Sequence, residues 1–197
     1  NMALTNSHFV NTNGWPDPDH VMSARDIATL SLAISVEFPE FYPLFAERNY
    51  SYAGVSQNNR NRLLYRMEGV DGLKTGSTQA GGYGLAASGV VDGRRLVLVV
   101  NGLTSDNARV SESTRLLNYG FRNFNVYDML KAGQTIDNAD VWLGEAATVP
   151  LVAEADVTLS MNRQARRNMI AKVIYDGPVP APIKKGQPIA TLELSAN

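Results

Sequence analysis

The dipeptide Asp92-Gly93, set between two β-branched apolar runs, limits what this chain can fold into more than any other stretch. Residues 84–91 and 94–101 each read as a strand, and Asp-Gly is the strongest short signal for a two-residue hairpin between them. The spacing therefore predicts two adjacent antiparallel strands, whose faces other elements must cover. Upstream, Ser23-Ala24-Arg25-Asp26 reads as a helix start with Ser23 as the cap, and Ile27, Leu30 and Ile34 supply an apolar stripe at helical spacing. Pro39 suits the first turn of a second short segment in which Phe41, Leu44 and Phe45 face a core. Residues 105–121 carry Val110, Leu116, Leu117 and Phe121 in a helical pattern, with Gly120 near its end.

After Asn125 the texture changes. Short runs of strand character at 140–143, 148–152, 157–161, 170–175 and 189–194 are separated by Gly, Pro, Asn and Asp, with no long helical pattern among them. The fold class expected is α+β: an antiparallel sheet with helices over residues 1–122, then a small all-β domain over 123–197. A chain of 197 residues is long enough to bury a core in each.

Several function classes drop out on composition. Eighteen basic against nineteen acidic side chains leave a formal charge of -1, so no global field draws the chain to nucleic acid. With no cysteine, thiolate catalysis and Cys-based zinc sites are excluded. His8 and His20 are too few and too isolated for a metal site and read as satisfied loop or core histidines, and no cofactor is called for. No apolar run approaches the roughly 18 residues that span a bilayer. The first residues, Asn1 to His8, lack the layout of a signal peptide and read as an internal point of a longer protein.

Chemistry concentrates in Leu73-Lys74-Thr75-Gly76-Ser77, where a cation, two hydroxyls and a glycine meet at a strand. Lys74 supplies a positive field, Thr75 can donate to a carboxylate, and Gly76 lets a ligand backbone come close. Alone, Lys-Thr-Gly is as compatible with an exposed strand end as with a site. Its setting adds more: Val70-Asp71-Gly72 before it, Gly-rich residues 76–84 after it, Gln57-Asn58-Asn59-Arg60-Asn61-Arg62-Leu63-Leu64 upstream, and Asn6-Ser7-His8-Phe9-Val10-Asn11-Thr12-Asn13-Gly14 near the start.

This ensemble resembles the low-molecular-weight penicillin-binding D-alanyl-D-alanine carboxypeptidases, serine peptidases of the S11 type, over roughly residues 1–121. The tail with Ala181-Pro182-Ile183-Lys184-Lys185-Gly186-Gln187 is similar, more loosely, to their second, all-β domain. The resemblance implies a penicillin-binding/β-lactamase-like transpeptidase fold for the first domain. It also implies removal of the terminal D-Ala from peptidoglycan stem peptides through a serine acyl-enzyme, binding of β-lactams, and a periplasmic or cell-envelope location near the inner membrane through an anchor that this sequence does not contain. Lys74 would be the electrostatic catalytic residue. Lys74, Thr75, Gly76, Ser77, Arg60 and Arg109 would form the substrate-binding set, Thr75 holding a carboxylate and the Ser77 N–H serving the oxyanion hole.

The sequence also departs from that family. No serine is followed three residues later by lysine, so the nucleophile and its lysine are missing. Ser56-Gln57-Asn58, Ser105-Asp106-Asn107 and Ser160-Met161-Asn162 match Ser-x-Asn, but the last two follow Lys74, against family order, and all three read as decoys. This chain alone is expected to be inactive, and to need either a separate N-terminal piece or self-association to cover faces left bare. Arg60 and Arg109 are open to a second reading, pairing with a structural acid such as Asp71 or Glu112. Trp15, Trp142, Tyr83 and Tyr175 read as packing or interface aromatics, and Arg163, Arg166 and Arg167 as a solvated turn. The other functions left open are a D,D-endopeptidase or β-lactamase of the same fold, or a noncatalytic wall-binding or interaction module.

Overall fold

A computed structural model describes residues 2–196. Its contacts divide the chain into two compact units, one ending at Phe121 and the other beginning at Arg122.

The first unit opens with a two-residue ladder, β1 (Ser7–His8) on β2 (Val21–Met22), and helix α1 (Ala24–Glu37). Ser23 caps α1 as its sequence suggests: its Oγ accepts the N–H of Asp26 at 3.1 Å. A 3₁₀ turn follows at Tyr42–Ala46, with Pro43 in its first turn, so Pro39 lies ahead of the segment that it was expected to start. Three residues per turn bring Tyr42 and Phe45 to one side, where both pack into the core, while Phe41 and Leu44 stay exposed. The apolar stripe read as 41, 44 and 45 assumed the wrong helical period.

The hairpin of β3 (Asn49–Tyr52) and β4 (Val55–Asn58) leads through a second 3₁₀ turn (Arg62–Tyr65) into the main sheet. That sheet has three antiparallel strands, β5 (Val70–Thr78), β6 (Gly82–Val91) and β7 (Arg94–Leu103), in the order β5-β6-β7. Asp92 and Gly93, with φ of 51° and 73°, make the tight turn between β6 and β7. The long helix α2 (Asp106–Asn123) closes the unit.

One apolar cluster packs α2 against the sheet, with Leu63, Leu85, Ala87, Val110 and Leu117 buried. A second, built on Tyr42, Leu73 and Ala86, takes in Ile27 and Ile34 from α1 and Phe45. The sheet is thus sandwiched between helical layers, and β5 stands at its edge.

The second unit contains β8 (Phe124–Leu130), β9 (Thr135–Trp142), β10 (Thr148–Val152), β11 (Val157–Asn162), the five-residue helix α3 (Arg163–Arg167), β12 (Met169–Ile174), β13 (Val179–Pro180) and β14 (Thr191–Ala196). They pair as β10-β9-β13, β11-β8 and β12-β14, around a core of Ala139, Leu151 and Val179. Arg163, Arg166 and Arg167 lie in α3 rather than in a turn, the helix being capped by the Asn162 side chain. Tyr175 packs against the core, whereas Trp15 and Trp142 are 70% and 57% exposed. No helix among the described residues is long and apolar enough to cross a membrane.

Candidate functional site

The edge strand β5 carries the whole Lys-Thr-Gly run, in register with β6: Lys74 opposite Ala86, Thr75 opposite Leu85, Gly76 opposite Gly84 and Ser77 opposite Tyr83. Alternation separates their environments. Thr75 is buried on the strand, while Lys74, Gly76 and Ser77 are exposed. The Lys74 ammonium turns back along its own strand and donates to the carbonyl of Thr75. No strand pairs with the outer edge of β5 among the described residues, so that edge is open to an added strand.

Glycines around this run separate into two kinds. A Cβ on Gly84 would lie 2.5 Å from the Asn101 carbonyl oxygen of the side chain, and one on Gly72 would lie 2.9 Å from the Tyr42 hydroxyl. A Cβ on Gly76 would meet nothing within 4 Å. The fold itself therefore makes no demand for glycine at 76.

Arg109 reaches the strand from α2. Its Nη1 donates to the carbonyls of Gly76 (3.2 Å) and Gly84 (3.4 Å), its Nη2 pairs with Asp106, and the guanidinium lies 5.6 Å from the Tyr83 ring centroid. Its acid partner is thus Asp106, one helical turn before it, while Glu112 pairs with Arg115 and Asp71 with Arg95. Asp106 is shared with Arg62, 2.7 Å away, and that hydrogen bond first, then the nearby charges, holds its carboxyl below the usual range. Arg60 is exposed, in the loop before the buried Asn61. The structure brings Lys74, Thr75, Gly76, Ser77 and Arg109 together, whereas no hydrogen bond or ion pair joins Arg60 to that strand among the described residues.

Beneath the start of β5 lies a polar cluster that sequence reasoning missed. Arg95 on β7 grips Asp71 with both terminal nitrogens, at 2.9 and 2.8 Å, and Nη1 also donates to Ser88 Oγ (2.6 Å) and to the Tyr42 hydroxyl (3.0 Å). The Tyr42 hydroxyl donates in turn to Asp71 at 3.1 Å, and the guanidinium sits 4.7 Å from the Tyr42 ring centroid. Burial pushes the Tyr42 phenol above its ordinary pKa.

The three Ser-x-Asn matches have structural occupations. Ser105 Oγ accepts the N–H of Ala108 at the start of α2, Asn162 caps α3, and Ser56 donates to Asn49 across the β3–β4 hairpin. Both histidines bond locally, His8 from the end of β1 and His20 from the loop before β2: His8 Nδ1 lies 2.7 Å from the Asp19 carbonyl, and His20 Nδ1 accepts from Val10 N–H at 3.2 Å. No group of three metal-ligating side chains occurs among the described residues.

Comparison with known proteins agrees with this architecture along the whole chain. Residues 1–105 match the family described as D-alanyl-D-alanine carboxypeptidase, and residues 124–197 match the penicillin-binding protein 5 C-terminal domain. The D-alanyl-D-alanine carboxypeptidase DacC of Escherichia coli is 35% identical over 198 residues, covering 100% of this chain and 50% of that protein. Penicillin binding protein 5 from Haemophilus influenzae superposes with a TM-score of 0.84 at 33% identity, covering 100% of this chain and 58% of the other. Penicillin binding protein 6B from Escherichia coli superposes at 0.73 with 31% identity, covering 99% and 52%. The chain, an α+β unit with this edge strand followed by a β-rich unit, belongs to the serine-type D-alanyl-D-alanine carboxypeptidase family. The chain spans about half the length of the curated relatives that it matches.

Proposed function

We propose that this chain supplies the substrate-binding wall of a penicillin-binding D-alanyl-D-alanine carboxypeptidase, which removes the terminal D-Ala of peptidoglycan stem peptides through a serine acyl-enzyme. The observation that carries the reading is the pairing of an open strand edge with empty space over Gly76. A stem peptide ending in D-Ala-D-Ala adds to that edge as an antiparallel strand and approaches closest where glycine leaves room. Thr75 faces its carboxylate end, and the Arg109 guanidinium, held by the Gly76 and Gly84 carbonyls and by Asp106, adds positive charge beside the strand. The Ser77 N–H contributes one oxyanion donor, and the Lys74 ammonium leaves its own strand to stabilise charge developing at the reacting carbonyl. Arg60, exposed in the loop before Asn61, adds a further positive charge for an anionic substrate. β-Lactams occupy the same wall, with their carboxylate in place of that of D-Ala.

The attacking serine belongs to polypeptide outside this sequence. Leu32 and Val36 on α1, with Phe38, Phe41 and Leu44 after it, are all at least 48% exposed and give that polypeptide an apolar face to cover. In its absence the same face drives self-association, and a compact monomer by light scattering would contradict this. Such an enzyme works in the periplasm, at the peptidoglycan. Residues 123–197 act as a β-rich domain separate from the 1–122 portion.

Intact-mass measurement after incubation with a labelled penicillin tests the reading. The polypeptide that joins this chain to a Ser-x-x-Lys segment should gain one acyl group, and this chain alone none. An unlabelled full-length protein would leave a noncatalytic wall-binding module. Labelling followed by rapid release would point to a β-lactamase, and cleavage of cross-linked dimers in preference to pentapeptide would point to a D,D-endopeptidase.

A further inference from the structure

β5 does not enter the sheet evenly. Val70 pairs with Gly89 and Gly72 with Ser88, so Asp71 is an extra residue on β5 with no counterpart on β6: a bulge three residues before Lys74. Because side chains alternate along a strand, losing such a bulge, so that Asp71 paired with Ser88, would slip everything beyond it by one residue and set Lys74 opposite Leu85. Lys74 and Thr75 would exchange faces, placing the ammonium on the buried side.

Two side chains, Arg95 and Tyr42, bond to that extra residue, and Ser88 and Asn61 brace its surroundings. Arg95 holds the Asp71 carboxylate by a two-pronged pair and reaches Ser88, which is fully buried on β6, at 2.6 Å. Tyr42 bonds Asp71 and Arg95 together, and its hydroxyl lies so near Gly72 that a Cβ there would be 2.9 Å away. From another element, the buried Asn61 donates its Nδ2 to the Gly72 carbonyl at 2.7 Å, with its Oδ1 fixed by the N–H of Leu63. Residues 71 and 72 are therefore tied to a 3₁₀ turn, to β6, to β7 and to the loop carrying Asn61. The side chains of Arg95 and Asp71 are 27% and 29% exposed, and the planar two-pronged pairing fixes the direction of the Asp71 carboxylate.

We propose that Asp71, Arg95, Tyr42 and Ser88 form a register lock that positions Lys74 and Thr75 for the acyl-transfer reaction. This rests on the reading of the Lys74 strand given above. The four are positioning residues, acting through β5 and not on the substrate.

The test uses the full-length enzyme, with Asp71→Asn, Arg95→Lys and Tyr42→Phe compared with the unaltered protein by stopped-flow acylation with a fluorescent penicillin. Asp71→Asn and Arg95→Lys, which lose the two-pronged charge pair, should slow acylation about tenfold, since a displacement of under 1 Å near the reacting atoms carries a penalty of that order. Tyr42→Phe, which keeps the ring and deletes one hydroxyl, should slow it about threefold. The end-point count of acylated sites should remain at one per molecule, and kcat for a D-Ala-D-Ala peptide should fall more than KM rises. Rates within twofold of the unaltered enzyme for all three variants would overturn the lock. So would slow acylation that only mirrors a falling end-point count, because that is loss of folded protein. If Asp71→Asn and Arg95→Lys fail to fold, Tyr42→Phe decides by the same criteria. An unaltered enzyme that takes no acyl group would instead sink the functional reading itself.

Discussion

At the scale of single residues, Gly76 separates a demand of the fold from a demand of the ligand. Nothing in the chain lies within 4 Å of a Cβ placed there, so Gly76→Ala should leave the melting temperature unchanged or slightly raised, since alanine restricts the unfolded chain more. A methyl group in the space that a substrate backbone would use should nevertheless slow penicillin acylation of the full-length protein by an order of magnitude or more. Gly84→Ala should do the opposite kind of damage, lowering stability as its Cβ meets Asn101. Normal acylation by Gly76→Ala would remove the observation on which the functional reading stands. Residues 74–77 could be read from sequence because they are contiguous and share one strand. The Asp71 cluster could not: Asp71 is 24 positions from Arg95 and 29 from Tyr42, and no local pattern joins residues across three elements. The Asp106–Arg109 pair was the readable one, an acid and a base one helical turn apart, yet Asp71 and Glu112 were the acids considered.

At the scale of elements, α1 shows how a cap ties a helix to a neighbouring ladder. Ser23 Oγ accepts the Asp26 N–H, and the Asp26 carboxylate accepts the Ser7 hydroxyl at 2.6 Å and the Asn6 N–H at 2.9 Å. Ser23→Ala should cost about 1 kcal/mol in urea denaturation, the usual value of a lost N-cap. The hydrogen bond from Ser7 first, helped by those from Asn6 and Ser23, holds the Asp26 carboxyl below its usual pKa. A carboxyl lowered on folding stabilises the native state above its unfolded value, near 3.9, and that contribution disappears as pH falls through the folded value. Asp26→Asn should thus be less stable than the parent at pH 7, with the difference shrinking below about pH 4; a constant difference would mean that the carboxylate charge is irrelevant. The elements legible in sequence were those with strong punctuation, namely the Ser23 cap, the Asp92-Gly93 turn and the apolar stripe of α2. The β3–β4 hairpin was not, because its turn places Ala53 at φ 48° before Gly54, and alanine seldom marks such a position. β8 was hidden for a different reason: it follows α2 directly, Phe124 coming straight after Asn123 with no glycine or proline to mark the change.

At the scale of the whole molecule, each unit has a core of its own, and the family matches change between residues 105 and 124. Every hydrogen-bonded strand pair of the second unit, β8 with β11, β9 with β10 and β13, and β12 with β14, is made within it. A set of ladders that closes without strands from outside can form without them. Residues 123–197 expressed alone should therefore show a β-type circular dichroism spectrum and one cooperative urea transition. Its stability should be modest, about 3–5 kcal/mol, because a β-rich unit of this size buries few large side chains. The two tryptophans let the same question be asked of the intact chain, since Trp15 belongs to the first unit and Trp142 to the second, and both are exposed enough to be replaced at little cost. In Trp15→Phe, fluorescence follows only the surroundings of Trp142, and its transition should coincide with that of the isolated 123–197 segment. A segment without a cooperative transition, or a Trp142 signal that shifts with every destabilising change in residues 1–122, would show that the β-rich unit depends on the first unit for its fold.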